Sequence, residues 1–243
     1  MTAIEPIEDR VRFRRKIEAM TADGSKALKD GGMALDHTLI KELDCPGTDL
    51  RCGVNLICRP SADVADYIRA IQNHLRESEP DQYYYPASDL HLTLLEITHD
   101  RNRQDANDLA KSITPRLQNI LTAMPVPHLN SPVLGFDSRG AALNFLPTDG
   151  RLQKFRAGFT DRLKQLGVPV DSRYVAASAH LTLLRYLRPL NSDPNHWVEK
   201  LLSPPPVREL TWVPSSVWLS WGTNWYGMRS RINEAGPYTI TEG

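Results

Sequence analysis

Two short stretches of this 243-residue chain repeat each other. His91-Leu92-Thr93-Leu94-Leu95 and His180-Leu181-Thr182-Leu183-Leu184 are identical over five positions, 89 residues apart. The flanks echo as well, since Tyr85 and Tyr174 each precede the histidine by six residues and Ala87 and Ala176 by four. In an extended strand alternate side chains share a face, so each copy turns one imidazole and one hydroxyl to one side and leucines to the other. Hydrolysis of a phosphodiester without a metal needs a base for the attacking hydroxyl and an acid for the departing oxygen, and an imidazole titrating near neutrality can be either. The threonine hydroxyls can donate to the non-bridging oxygens as negative charge redistributes. If an approximate two-fold relates the halves, the polar faces meet, and one phosphorus sits among His91, Thr93, His180 and Thr182.

The elements that must carry these faces can be read from periodicity. Val54 to Cys58 is a short strand, closed by Pro60. Ser61 then opens a helix whose Val64, Ile68, Ile71 and Leu75 keep helical steps. Leu90 to Ile97 reads as a strand and Asp105 to Met124 as a helix interrupted by Pro115. Val133 to Phe136 and Ala141 to Phe145 form a hairpin, and a helix follows through Leu152, Phe155, Phe159, Leu163 and Leu166 to the helix-ending Gly167. His180 to Tyr186 is again a strand, then a short helix opens at Ser192-Asp193-Pro194 and runs through Leu202. Strands near Leu210 to Val213 and Val217 to Trp221, with an edge at Tyr238-Thr239-Ile240, close the chain. Strands and helices alternate irregularly in both halves, which predicts an α+β fold. Residues 1–45 read as an N-terminal extension with turns at Asp23-Gly24-Ser25 and Gly31-Gly32, and residues 46–243 as a single bilobed domain. The extension's basic run, Arg10, Arg12, Arg14, Arg15 and Lys16, is flanked by Glu5, Glu8, Asp9 and Glu18 and reads as a solvated helix face.

Composition narrows the partners. Lys and Arg number 29, as do Asp and Glu, and a chain with no net charge is not built to grip long nucleic acid. Neither an 18-residue apolar run nor an apolar signal core is present, so the expectation is a cytoplasmic protein, a monomer, away from membranes. Cys45, Cys52 and Cys58 show no C-x-x-C spacing and read as buried or idle thiols. Glycine-rich triphosphate and dinucleotide loops are absent. His91, His99 and Asp100 invite a metal site, but their spacing does not suit one, so no metal and no cofactor is expected.

On its paired H-x-T motifs the chain resembles the two-histidine (2H) phosphoesterase superfamily, which includes cyclic-nucleotide phosphodiesterases and bacterial RNA 2′-5′ ligase-like proteins. The resemblance covers about residues 50–243, with Gly236-Pro237-Tyr238 similar to a closing element of the family. It implies two pseudo-symmetric lobes, each a mainly antiparallel sheet with helices on its outer face, around a central cleft. It also implies acid and base roles for His91 and His180, phosphate binding by Thr93 and Thr182, and a small nucleotide-like or RNA-end substrate, either a 2′,3′-cyclic phosphate or a 2′-5′ linkage. The extension departs from a minimal member and could cover the cleft or narrow its substrates.

Other candidates carry alternatives. Arg185, five residues after His180, falls on the opposite face by alternation unless a twist or bulge re-aims it. Tyr85 and Tyr174 either bound the cleft or pack the core. Trp221 or Trp218 could stack a base, with sheet packing the plainer role. His37, His74, His128 and His196 read as surface or capping residues. The rival functions are a nucleotide or RNA-end binding module using the same cleft without turnover, and a metal-dependent hydrolase.

Overall fold

The computed structural model describes residues 6–172, 179–206, 209–223 and 225–241, with side chains from residue 10 onward. Nine strands form two antiparallel sheets among these residues. The first sheet runs in the order β3 (Leu92–Arg101), β1 (Cys52–Cys58), β8 (Ser216–Gly222), β9 (Ile232–Thr239). The second runs β2 (Tyr83–Tyr84), β6 (Ala179–Arg185), β5 (Gly140–Pro147), β4 (Leu129–Asp137), β7 (Thr211–Trp212). The motif strands β3 and β6 belong to different sheets, yet come within 8 Å of one another, Cα to Cα. The fold is thus α+β and bilobed, with the duplicated strands at the seam.

The helices do not stay with the half that encodes them. α3 (Ala62–Arg76) follows β1 in sequence but rests on β6 and α7 (Pro194–Leu202), with Val64, Ile68, Ile71 and Leu75 wholly buried. α6 (Arg151–Gln165) follows the β4–β5 hairpin but rests on β3, burying Leu152, Phe155, Phe159 and Leu163. α4 (Arg103–Ile113) lies on β1 and β8. Pro115 does break the long helix, through a short 3-10 turn into α5 (Leu117–Leu121).

The segment before the first sheet forms two helices, α1 (Pro6–Lys29) and α2 (His37–Asp44). Asp23-Gly24-Ser25 is not a turn; it lies inside α1. Gly24 is there for proximity. A Cβ on it would fall 2.6 Å from the carbonyl oxygen of Phe136, so the helix reaches β4 only without one. Phe13 and Ile17 bury against Leu146 and Val133, while Arg12, Arg14, Arg15 and Lys16 stay exposed. Arg10 instead turns to β4, donating to Asn130 at 2.6 Å and Ser131 at 2.9 Å. Among the described residues no helix is long and apolar enough to cross a membrane.

Each motif strand carries a β-bulge at the same place. Leu56 and Ile57 of β1 face Leu95 and Thr93, leaving Leu94 as the extra residue; Ala141 and Ala142 of β5 face Leu184 and Thr182, leaving Leu183. At each bulge the carbonyl of the extra residue accepts from a buried polar side chain of the overlying helix. Arg156 of α6 donates to Leu94 O at 2.8 Å, and Gln72 of α3 donates to Leu183 O at 3.1 Å and Tyr85 O at 2.9 Å. Replacing Gln72 by Leu keeps the volume but removes the Gln72 bond to Tyr85 O and one of the two bonds to Leu183 O, which still accepts from Tyr85 N, at a cost of about 1–3 kcal/mol. A lower urea midpoint with an unchanged denaturant slope would show it; an unchanged midpoint would refute the clamp.

Candidate active site

The bulges decide which residues face the cleft. A bulge sets two successive residues on one side of the strand and restores alternation one step late. Leu94 and Leu95, and Leu183 and Leu184, are accordingly buried together. The residue five after each histidine therefore joins the histidine face. In the second copy this is Arg185, re-aimed from where plain alternation puts it; in the first it is Glu96, which pairs in register with Asn55. The consecutive leucines were the sequence signal for both, because strict period-two burial calls for a polar fifth residue.

His91 stands at the entrance to β3, partly exposed. Its Nδ1 lies 2.7 Å from the carbonyl oxygen of Asp89. A carbonyl only accepts, so Nδ1 carries the proton and Nε2 is left for chemistry. Arg59 fixes the approach, donating to Ser88 O at 2.9 Å and Leu90 O at 3.3 Å and pairing with Glu234, which Arg229 also meets at 3.3 Å. The backbone of Gly227, at φ +66, lies against the ring, and a Cβ there would overlap the imidazole. Nothing in the residue pattern around Gly227 announced this contact.

His180 stands opposite Asn144 of β5, with Thr182 opposite Ala142 on the same face. Burial first, then the charges of His91, Arg185 and Arg156, push the His180 imidazole down to about 4. The two histidines are thus near enough to act on one another. Burial also lowers His91, but the hydrogen bond to Asp89 and the carboxylates of Asp89 and Glu234 work against it, with Arg59 adding to the lowering. The pair is electrostatically unequal: burial lowers both imidazoles, but carboxylates offset part of that at His91, whereas further positive charges add to it at His180.

Arg185 is hydrogen-bonded to the hydroxyl of Tyr85, and the carboxylates of Asp36 and Asp137 act on its charge. Tyr85 is 2% exposed, with Tyr83 edge-on at 5.1 Å between ring centroids, so it supports Arg185 from within. Tyr174 lies outside the described residues. Trp221 is not brought to the motif face. It pairs with Val54 on the helix-covered side of the sheet and donates to Asn107 of α4 at 3.2 Å. Trp218, opposite Ile57, which is itself opposite Thr93, is on the motif face. Alternation along β8 places only one of the two there.

α1 crosses the motif face of the second sheet. A Cβ on Gly135 would meet Asn144 at 2.8 Å, Met20 at 3.0 Å and Ile17 at 3.1 Å, and Asn144 is the cross-strand neighbour of His180. α1 thus walls the motif side of the second sheet. His99 lies eight residues along β3 with its Nε2 3.9 Å from Asp100, and no three His, Cys, Asp or Glu side chains among the described residues gather as a metal site would need. His37, His74, His128 and His196 belong to other surroundings: His128 meets Arg151 at 2.9 Å, and His196 meets Ser78 at 3.4 Å.

No protein-family profile matches the sequence, and no curated protein matches it. Among solved structures, Escherichia coli LigT complexed with 3′-AMP is similar at 15% identity and a TM-score of 0.48, over 79% of this chain and 99% of LigT. A Thermus thermophilus protein, TT0787, is similar at 17% identity and 0.48, over 78% and 98% of the two chains. A protein described as a phosphoesterase is similar at 15% identity and 0.44, over 78% and 99%. At these values the likenesses say nothing of activity.

The unequal surroundings make a direct prediction. In an NMR titration of the imidazole protons, both histidines should half-protonate below the ordinary 6.5, and His180 should do so last on acidification, near pH 4. If His180 gained its proton before His91, the electrostatic asymmetry described above would be wrong.

Proposed function

We propose that the chain is a 2H-type phosphoesterase that hydrolyses a small nucleotide-like phosphodiester, a 2′,3′-cyclic phosphate or a 2′-5′ linkage, by acid–base catalysis between His91 and His180. The observation that carries the reading is the pair of identical H-x-T strands, set side by side across a two-lobed seam. Thr93 and Thr182 share the histidine faces, and Arg185 adds a fixed positive charge for the phosphate.

In this reading the phosphate lies between the lobes, its non-bridging oxygens met by the two threonine hydroxyls and the Arg185 guanidinium. His180, kept neutral by its surroundings, takes a proton from the attacking water as the new P–O bond forms. His91 enters protonated, favoured by Asp89 and Glu234, and Nε2 gives its proton to the departing oxygen as the old P–O bond breaks. A cyclic phosphate then leaves as a monoester and a free hydroxyl. Proton exchange with solvent resets the pair. Both proton transfers are assigned to side chains, so the reading calls for no metal.

Three measurements test it on a panel of cyclic nucleotides and short 2′-5′ and 3′-5′ oligonucleotides. His91→Ala and His180→Ala should each lower kcat by about 10² to 10⁴, and Thr93→Ala or Thr182→Ala by about 10 to 10³. Substrate affinity kept while turnover is absent in the wild type would point instead to a binding module. kcat/KM should be bell-shaped in pH, with the acid limb set by protonation of His180 near 4 and the alkaline limb by deprotonation of His91 below 6.5, so its maximum lies on the acid side of neutrality. Activity should survive a strong chelator; its loss, with recovery on adding one divalent ion, would favour the metal-dependent alternative.

A further inference from the structure

The chain between β8 and β9 carries Gly227 onto the His91 ring, and it is held there from α2, a helix outside the stretch that resembles the 2H superfamily. The hold has two clips, one on each side of Gly227. Tyr226 donates its hydroxyl proton to Asp36 Oδ1 at 2.6 Å, and Asp36 is the N-cap of α2, also accepting from Leu39 N at 3.0 Å. Arg231 Nε pairs with Glu42 Oε1 at 2.6 Å, and Glu42 is buried in α2. Against the desolvation of burial, the N–H groups of Asp49 and Gly47 and the charge of Arg231 hold the Glu42 carboxyl below its usual range, so this clip stays ionised at neutral pH. Arg51 braces the same loop. It is paired with Asp49 at 2.7 Å, donates to Tyr226 Oη at 3.4 Å, and lies 4.2 Å from the centroid of the Trp225 ring. Leu39, Tyr226 and Met228 form a small apolar cluster of their own beneath it.

α2 is fastened at the same residue to the other lobe. The N–H of Asp36 donates to Tyr186 O at 2.9 Å, one residue past the strand that carries His180. A single aspartate thus joins the end of one motif strand to the loop that presses on the histidine of the other.

We propose that Asp36 and Tyr226 are positioning residues for His91, acting through the loop that seats Gly227 on its imidazole. Neither touches the reacting atoms. Besides that loop, the charged and titratable groups bearing on His91 among the described residues include Asp89, Glu234, Arg59 and His180. Tyr226→Phe leaves all four in place and changes the seat and the water that reaches the ring, whereas a change at Asp36 also removes a carboxylate that acts on Arg185.

The test is Tyr226→Phe, which removes one hydroxyl and keeps the ring in its apolar cluster, with Asp36→Ala and Asp36→Asn beside it. In Tyr226→Phe and Asp36→Ala, kcat should fall roughly 10- to 100-fold with KM changed less than about 3-fold, as for a misplaced catalytic group. The NMR titration of His91 should move up toward 6.5, because burial is the main cause of its lowering. Asp36→Asn keeps an acceptor for both Tyr226 and the α2 backbone and should recover most of both effects. A folded Tyr226→Phe protein with the wild-type His91 titration and kcat would overturn the proposal. The kinetic arm rests on the phosphodiesterase reading, but the titration does not. If the wild type turns over nothing while Tyr226→Phe still moves His91, that reading fails and this one stands.

Discussion

A strand can present polar groups to a cleft only at every second position, and two motif strands from different sheets must also agree on where those positions fall. The paired bulges at Leu94 and Leu183 meet both demands. Each lets a histidine, a threonine and the fifth residue share one face while two adjacent leucines bury on the other. A bulge frees a carbonyl, and in a dry interior that carbonyl must be met. Arg156 meets it at Leu94, and Gln72 joins the Tyr85 N–H in meeting it at Leu183, from helices that lie across the seam from the sheet they follow in sequence. The same bonds that tolerate the irregularity hold the lobes in register.

The edges of the motif strands are closed in the same crossed manner. The chain leading into the first motif bonds to the second motif strand, Tyr85 N to Leu183 O at 3.1 Å, and the chain leading toward the second bonds to the first, Asp171 N to Ile97 O at 3.0 Å. Backbone symmetry is therefore close, and chemical symmetry is not. Glu96 and Arg185 occupy equivalent places with opposite charge, and His91 has a carbonyl and two carboxylates as well as Arg59 around it where His180 has cations. One scaffold repeated twice thus gives its two histidines different electrostatic surroundings.

Much of this was legible in the residues. The repeated H-x-T, the amphipathic α3 and α6, the Pro115 break and the β4–β5 hairpin all follow from spacing, since each depends on neighbours within a few positions. Arg185 was legible only through the doubled leucines, whose joint burial marks the bulge. Trp221 and Trp218 could not be told apart without knowing which face of β8 α4 covers. Gly24 read as a turn because glycine favours turns; what it serves is the approach of α1 to the β4 backbone, a contact with a partner more than a hundred residues away. Gly227 and Asp36 were hidden for the same reason, as their meaning lies in contacts between distant segments.

The exchange of α3 and α6 across the seam has a consequence for how the chain reaches this structure. α3 is made with the first half yet completes the core under β6, and α6 is made with the second half yet completes the core under β3. Neither half can bury its own leucines alone. An emerging first half would leave Val64, Ile68, Ile71 and Leu75 without β6, so the lobes are parts of one cooperative unit rather than two that dock. Contacts of such long sequence separation carry a high loop-closure cost and slow the search. The site lies on the seam between the halves, so it exists only once both halves have condensed.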